Sequence, residues 1–138
     1  MIVSPPAPAT SSPLSFLAFD FGTRRVGVAS GNSLTRTATP LTTIAAEGEP
    51  RILAIAKLVD EWQPSALVVG VPFHPDGAAH VNTHRAQRFG RQLAARFHLP
   101  VHEVDERYTT TAAKAEGARD LDAAAAAIIL EQHLAGLP

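Results

Sequence analysis

The segment Ala66-Leu67-Val68-Val69-Gly70-Val71 carries no polar side chain, and it follows a helical stretch closed by Pro64. A run this short, apolar and β-branched reads as a strand covered on both faces, the condition of a strand inside a parallel sheet. Upstream, Pro50 stands where a first helical turn accepts proline. Ile52, Leu53, Ile55, Ala56, Leu58 and Val59 follow with helical spacing up to Trp62. A crossover helix feeding a buried strand implies a βαβ unit and hence an α/β chain.

The remaining pattern extends this unit. Leu14 to Phe19 runs apolar into Asp20, and Arg25 to Ala29 resumes the alternation after Gly22, so two strands joined by a tight turn are expected, with Asp20 ending the first. Thr35 to Thr43 is a threonine-rich third strand that Pro40 confines to an edge. Beyond Pro72, Pro75, Asp76 and Gly77, the spacing predicts a helix from about Ala79 to Phe97, then a strand over Leu99–Val104. A short helix is expected over Thr109–Ala118, and a final one over Leu121–Leu134, capped by Asp120. Ala123 to Leu130 lacks any polar residue, so that last helix should be covered nearly all round. The sum is a mixed sheet with helices on both faces.

With 138 residues, 46% of them hydrophobic and 18% charged, one core is expected over 14–138, preceded by a flexible tail over 1–13 without the features of a secretory signal. No stretch approaches a membrane span, so no membrane partner is expected. The absence of cysteine removes disulfides, thiolate zinc sites and thiol nucleophiles, leaving oxygen and imidazole to hold any metal; a reducing, cytoplasmic setting suits such a chain.

A formal net charge of -1 gives no global sign of nucleic acid, but the charge is uneven. No acid occurs between Asp20 and Glu47, where Arg24, Arg25 and Arg36 lie, nor between Asp76 and Glu103, where Arg85, Arg88, Arg91 and Arg96 lie. Arg85, Arg88 and Arg91 recur every three residues, near one helix face, a placement suited to phosphates rather than to base edges. Arg24, Arg25 and Arg107 lie close in sequence to candidate acids. Solubility or local pairing would explain any of these arginines equally well.

Three acids stand at the ends of core elements. Asp20, set between Phe19 and Phe21, is costly unless neutralised, though an Asx turn at Gly22 is an alternative. Of the adjacent Asp105 and Glu106, one should face the carboxyl edge of the sheet, where α/β folds bind ligands; a surface turn with a local ion pair is the plainer reading. Asp122 lies in the first turn of the last helix, where the helix dipole alone could account for it. Clustered together, the three would repel one another unless a hard cation such as Mg²⁺ or Mn²⁺ were present. Asp76, His80 and His84, four residues apart in turn, could also present a metal site, but Asp76-Gly77 reads better as the turn before a helix.

These residues resemble the YqgF family of RNase H-like proteins, described as Holliday junction resolvases or pre-16S rRNA nucleases. The matching segments are Leu17 to Arg24 with Val26 to Ala29, Val68 to Pro72 with Asp76-Gly77, Asp105-Glu106-Arg107 with Thr110, and Asp122 with Ala124-Ala125 and Ile128 to Leu130. They fall in family order and span nearly all of Leu17 to Leu134. The resemblance implies an RNase H-like fold in which Asp20, Glu106 and Asp122 are the catalytic, metal-binding carboxylates. It implies one or two Mg²⁺ or Mn²⁺ ions, products bearing 5′-phosphate and 3′-hydroxyl, and a cytoplasmic role in maturing the 5′ end of pre-16S rRNA, with the small ribosomal subunit as a partner. The segment Gly117–Asp122 is shorter than the family's, and Asp120 stands where a lysine is common, so either Asp120 or Asp122 could complete the cluster.

Three other readings compete. Branched DNA is an alternative substrate, which would call for a dimer. A non-catalytic RNA-binding maturation factor would use the same basic face. A phosphotransferase of the actin and sugar-kinase type shares the turn Asp20-Phe21-Gly22-Thr23, but those enzymes close two such domains over a nucleotide.

Overall fold

The computed structural model describes residues 13–108 and 120–138. The expected tail over 1–13, apart from Pro13, and the expected helix over Thr109–Ala118 lie outside the described residues.

Three strands open the chain, β1 (Ser15–Phe21), β2 (Val26–Asn32) and β3 (Ala38–Ile44). Helix α1 (Gly48–Trp62), strand β4 (Ala66–Val71), helix α2 (Val81–Phe97) and strand β5 (Val101–Asp105) follow; a 3₁₀ turn (Glu106–Tyr108) and helix α3 (Leu121–Ala135) complete the order. The sheet runs β3-β2-β1-β4-β5. Its first three strands are antiparallel, while β4 is parallel to β1 and β5 parallel to β4. β4 is buried at every position, as its composition requires.

Pro40 behaves as an edge residue must. β3 lies at the margin of the sheet, and the β2–β3 register slips between Val28 and Ala29, where Ala29 faces Pro40. β3 begins at Ala38 rather than Thr35, because Asn32 Oδ1 accepts hydrogen bonds from the backbone N–H groups of Leu34 and Thr35 and turns the chain there. The first strand runs one residue past Asp20, since the pairing of Phe21 with Val26 extends the ladder to the turn.

α1 ends at Gln63, which adopts a left-handed conformation (φ 46°) just before Pro64. α2 begins at Val81, later than the expected Ala79, because His80 caps it. His80 Nδ1 accepts from the Asn82 N–H (3.1 Å), and Thr83 Oγ1 accepts from the His80 N–H (3.0 Å). Buried Thr83 also donates its hydroxyl to the Pro72 carbonyl, tying the start of α2 to the end of β4. β5 starts at Val101, after the left-handed His98 and Pro100.

Two cores form on the two faces of the sheet. On one, Leu17, Phe19, Val26, Val28, Leu67, Val69 and Val71 meet Ile55 of α1 and Ala86, Phe89 and Leu93 of α2. On the other, Phe16, Ala18, Val68 and Val104 meet Ile129, Leu130 and Leu134 of α3. The residues of β2 on this second face are Gly27, Ala29 and Gly31, and Ala126 and Ala127 pack onto Ala29. Small residues on both partners bring α3 close to the sheet. Among the described residues no helix is long and apolar enough to cross a membrane.

Candidate active site

Strand alternation places Asp20 on the face covered by α3, in line with Phe16 and Ala18. Its cross-strand neighbours are both glycines, Gly27 on β2 and Gly70 on β4. Each is required by a close approach. A methyl group on Gly27 would stand 1.9 Å from the Asp122 carbonyl oxygen, and one on Gly70 would stand 2.4 Å from Ile129 Cδ1 and 3.0 Å from Glu106 Oε1. Gly27 thus seats the first turn of α3 against the sheet, and Gly70 leaves the space that the Glu106 carboxyl occupies.

Glu106 opens the 3₁₀ turn that follows β5, and its carboxyl is hydrogen-bonded to that of Asp20. Burial, followed by the charge of Asp20, pushes the Glu106 carboxyl up to about 8. Burial also raises the carboxyl of Asp20, and the charge of Asp122 raises it further. Two buried carboxyls in contact cannot both ionise cheaply. The adjacent Asp105 points elsewhere. Its carboxylate takes a forked ion pair from Arg107, with contacts of 2.7 and 3.0 Å, and the hydrogen bond from Arg107 holds it below the ordinary carboxylate range. The local ion pair expected of the Asp-Glu-Arg turn exists, and it belongs to Asp105 rather than Glu106.

The two aspartates at the start of α3 separate just as clearly. Asp120 is the N-cap: Oδ1 accepts from the Ala123 N–H (3.0 Å) and from the Thr43 hydroxyl, whose hydrogen bond is the main reason its carboxyl is lowered. Asp122, one step into the helix, is the acid whose charge reaches Asp20. It forms an ion pair with Arg25, Nε to Oδ2 at 3.2 Å.

The other predicted residues scatter around this centre. Arg107 lies over the Phe73 ring, 5.6 Å from its centroid, and borders a cleft of about 460 Å³ lined by Pro72, Phe73, Pro75, Glu106 and Arg107. A second cleft of about 460 Å³ is lined by Gly22, Thr23, Arg24, Arg25 and Asp122. Exposed Arg85, Arg88 and Arg91 lie on α2 and line neither cleft. The Asp76-His80-His84 spacing makes no metal site. Asp76 Oδ1 accepts from the Ala78 N–H as a turn residue, and His80 is a helix cap. Sequence reasoning missed Arg51, which is 6% exposed and donates from Nε to the Ala46 carbonyl (2.7 Å) and from Nη2 to the Thr23 carbonyl (3.2 Å). An arginine among the apolar positions of α1 was the available signal.

The donor chemistry of Asp20 and Glu106 fits a hard divalent cation: both are half-buried carboxyl oxygen donors, and the charge of Asp122 acts on Asp20 beside them. Asp122 is near but turned to Arg25, and among the described residues no three acidic or imidazole side chains are gathered in the geometry of a preformed metal site.

Comparison with known proteins gives a consistent result. A family model described as "RuvX: Holliday junction resolvase" matches residues 14–136. A protein of Polaromonas sp. named "Putative pre-16S rRNA nuclease" is 68% identical over 124 residues, covering 90% of each chain. A protein of Paraburkholderia phytofirmans with the same name is 57% identical over 130 residues, covering 89% of each. Among solved structures, Thermus thermophilus RuvC in complex with a Holliday junction substrate superimposes with a TM-score of 0.59 at 14% identity, over 88% of this chain and 94% of that one. That likeness establishes the RNase H-like fold.

Proposed function

The chain belongs to the RuvX family, and on that premise we propose that it is a metal-dependent phosphodiester endonuclease that trims the 5′ end of pre-16S rRNA in the cytoplasm, at or near the small ribosomal subunit. The observation that carries this reading is the Asp20–Glu106 carboxyl pair at the carboxyl edge of β1, β4 and β5, with Asp122 brought beside it on α3. The names of the relatives support the substrate, and the absence of cysteine suits the compartment.

Asp20 and Glu106 would hold one or two Mg²⁺ or Mn²⁺ ions, with Asp122 as the third ligand. The bound metal supplies an activated water as nucleophile and charge stabilisation for the leaving oxygen. The chain's own part is positional. Asp20 stands on β1 between β2 and β4, so its backbone is held in register on both sides. Glu106 would hold a cation through its deprotonated carboxylate. Gly27 admits the backbone of Asp122 to the sheet and Gly70 makes room for the Glu106 carboxyl, and Arg24, Arg25 and Arg107 line the clefts through which a strand would run. Exposed Arg85, Arg88 and Arg91 would hold phosphates further along.

A four-way DNA junction is the second reading, favoured by the description of the family. Cleavage of end-labelled pre-16S leader RNA and of four-way junctions with Mg²⁺, Mn²⁺ or chelator separates the two. Metal-dependent cutting of the leader, lost in Asp20→Asn and Glu106→Gln, is expected. Cutting of junctions alone would transfer the assignment to DNA, and binding without any cutting would reduce the protein to a maturation factor.

A further inference from the structure

We propose that Arg25 is a latch on Asp122, released when a phosphodiester enters the cleft beside it, so that substrate binding and cation uptake are coupled. The proposal rests on Asp20, Glu106 and Asp122 being the cation ligands.

Both ends of the latch stand on fixed backbone. The turn that carries Arg25 is tight, since a methyl group on Gly22 would lie 2.5 Å from the Arg25 carbonyl oxygen. It is pinned from the core side by Arg51, whose Nη2 reaches the Thr23 carbonyl at 3.2 Å. Asp122 is held by the contact of its own backbone with Gly27. Only the side chains can move. Those are 66% exposed for Arg25 and 32% for Asp122, and both face the cleft that Gly22, Thr23 and Arg24 complete.

The Asp122 carboxylate has two claims on it. Its charge acts on Asp20, and it is also paired with Arg25, whose Nε stands 3.2 Å from Oδ2. A phosphodiester in the cleft offers the planar Arg25 guanidinium two non-bridging oxygens, a doubly accepting partner that arginine prefers to a single-contact carboxylate. Once Arg25 turns to the phosphate, Asp122 is left facing two other carboxyls, and a divalent cation is what relieves the repulsion. A half-exposed ion pair is weak, and that weakness is what allows the exchange. Linkage then requires the reciprocal effect, in which the cation tightens the hold on nucleic acid.

The test is calorimetric titration of Mn²⁺ into the wild type, Arg25→Gln, Arg25→Lys and Asp20→Asn, alone and with a short oligouridylate of phosphorothioate linkages. Without the oligonucleotide, Arg25→Gln is expected to bind Mn²⁺ about two- to fivefold more tightly than the wild type, the scale of an exposed ion pair, with Arg25→Lys close to the wild type. The oligonucleotide is expected to tighten Mn²⁺ binding in the wild type and to do so less in Arg25→Gln. Equal Mn²⁺ affinity in Arg25→Gln and the wild type, with binding lost in Asp20→Asn, would overturn the latch and leave the carboxylate site standing. Undiminished binding in Asp20→Asn would overturn the site itself and the latch with it.

Discussion

The carboxyl groups of Asp20 and Glu106 are hydrogen-bonded to each other, although one stands near the end of the first strand and the other just beyond the last. β4 lies between their strands, and Gly70 at the level of Asp20 lets the two meet across it.

Burial of Glu106, with the charge of Asp20 beside it, sets a pH dependence. Glu106 titrates near 4.5 when unfolded and near 8 in the fold, so the folded chain holds an extra proton between those values. Its contribution to stability is complete below about pH 4.5 and is lost as pH rises towards 8. Chemical denaturation of metal-free protein should show this slope, and Glu106→Gln should flatten it. Divalent binding should release a proton and strengthen up to about pH 8, a point that calorimetry in buffers of different ionisation heat would check.

Gly27→Ala and Gly70→Ala should differ in severity. At Gly27 the new methyl meets backbone 1.9 Å away, whereas at Gly70 it meets the ends of two side chains that can shift. Urea unfolding should show Gly27→Ala costing about 3 kcal/mol or more and Gly70→Ala about 1–2 kcal/mol. An equal loss in both would mean that α3 gives way as readily as the Ile129 side chain.

Asp120 and Asp122 should part company under substitution. Asp120→Ala removes a helix cap and the Thr43 hydrogen bond, for a loss of about 1–2 kcal/mol with cleavage retained per folded molecule. Asp122→Asn should leave the melting temperature nearly unchanged while reducing cleavage by at least about a hundredfold, the scale of a lost electrostatic contact to the reacting group. Exchange of these two phenotypes would reassign the third ligand to Asp120.

The α2 arginines should act through phosphate alone. Replacing Arg85, Arg88 and Arg91 together by Gln should weaken RNA binding without changing sequence preference. It should also lower the salt dependence of the affinity by up to about two units of slope for a single strand. Unaltered salt dependence in a binding titration would remove α2 from the interface.

Much of this was legible in the residues. β4 was readable to the residue because a wholly apolar run bounded by Pro64 and Pro72 admits one arrangement, and Pro40 announced the edge strand. Alternation also showed that Asp105 and Glu106 must face opposite ways. It could not say which of them faced the sheet, since that depends on Arg107 claiming Asp105. Nor could it reveal Gly27 and Gly70 as determinants of the site, because their need arises from a helix nearly a hundred residues further along in one case and from two side chains of distant elements in the other. Arg51 was hidden for the same reason, its acceptors being carbonyls of loops rather than a partner acid.

The docking of alanine-rich α3 on Gly27, Ala29 and Gly31 has a consequence for synthesis. Every described strand precedes residues 121–135 in the chain, so one face of the sheet has no cover until the last helix has been made. The stroke that covers that face is also the one that delivers Asp122. On the assignment proposed above, the third carboxylate therefore joins the other two only when the core is completed.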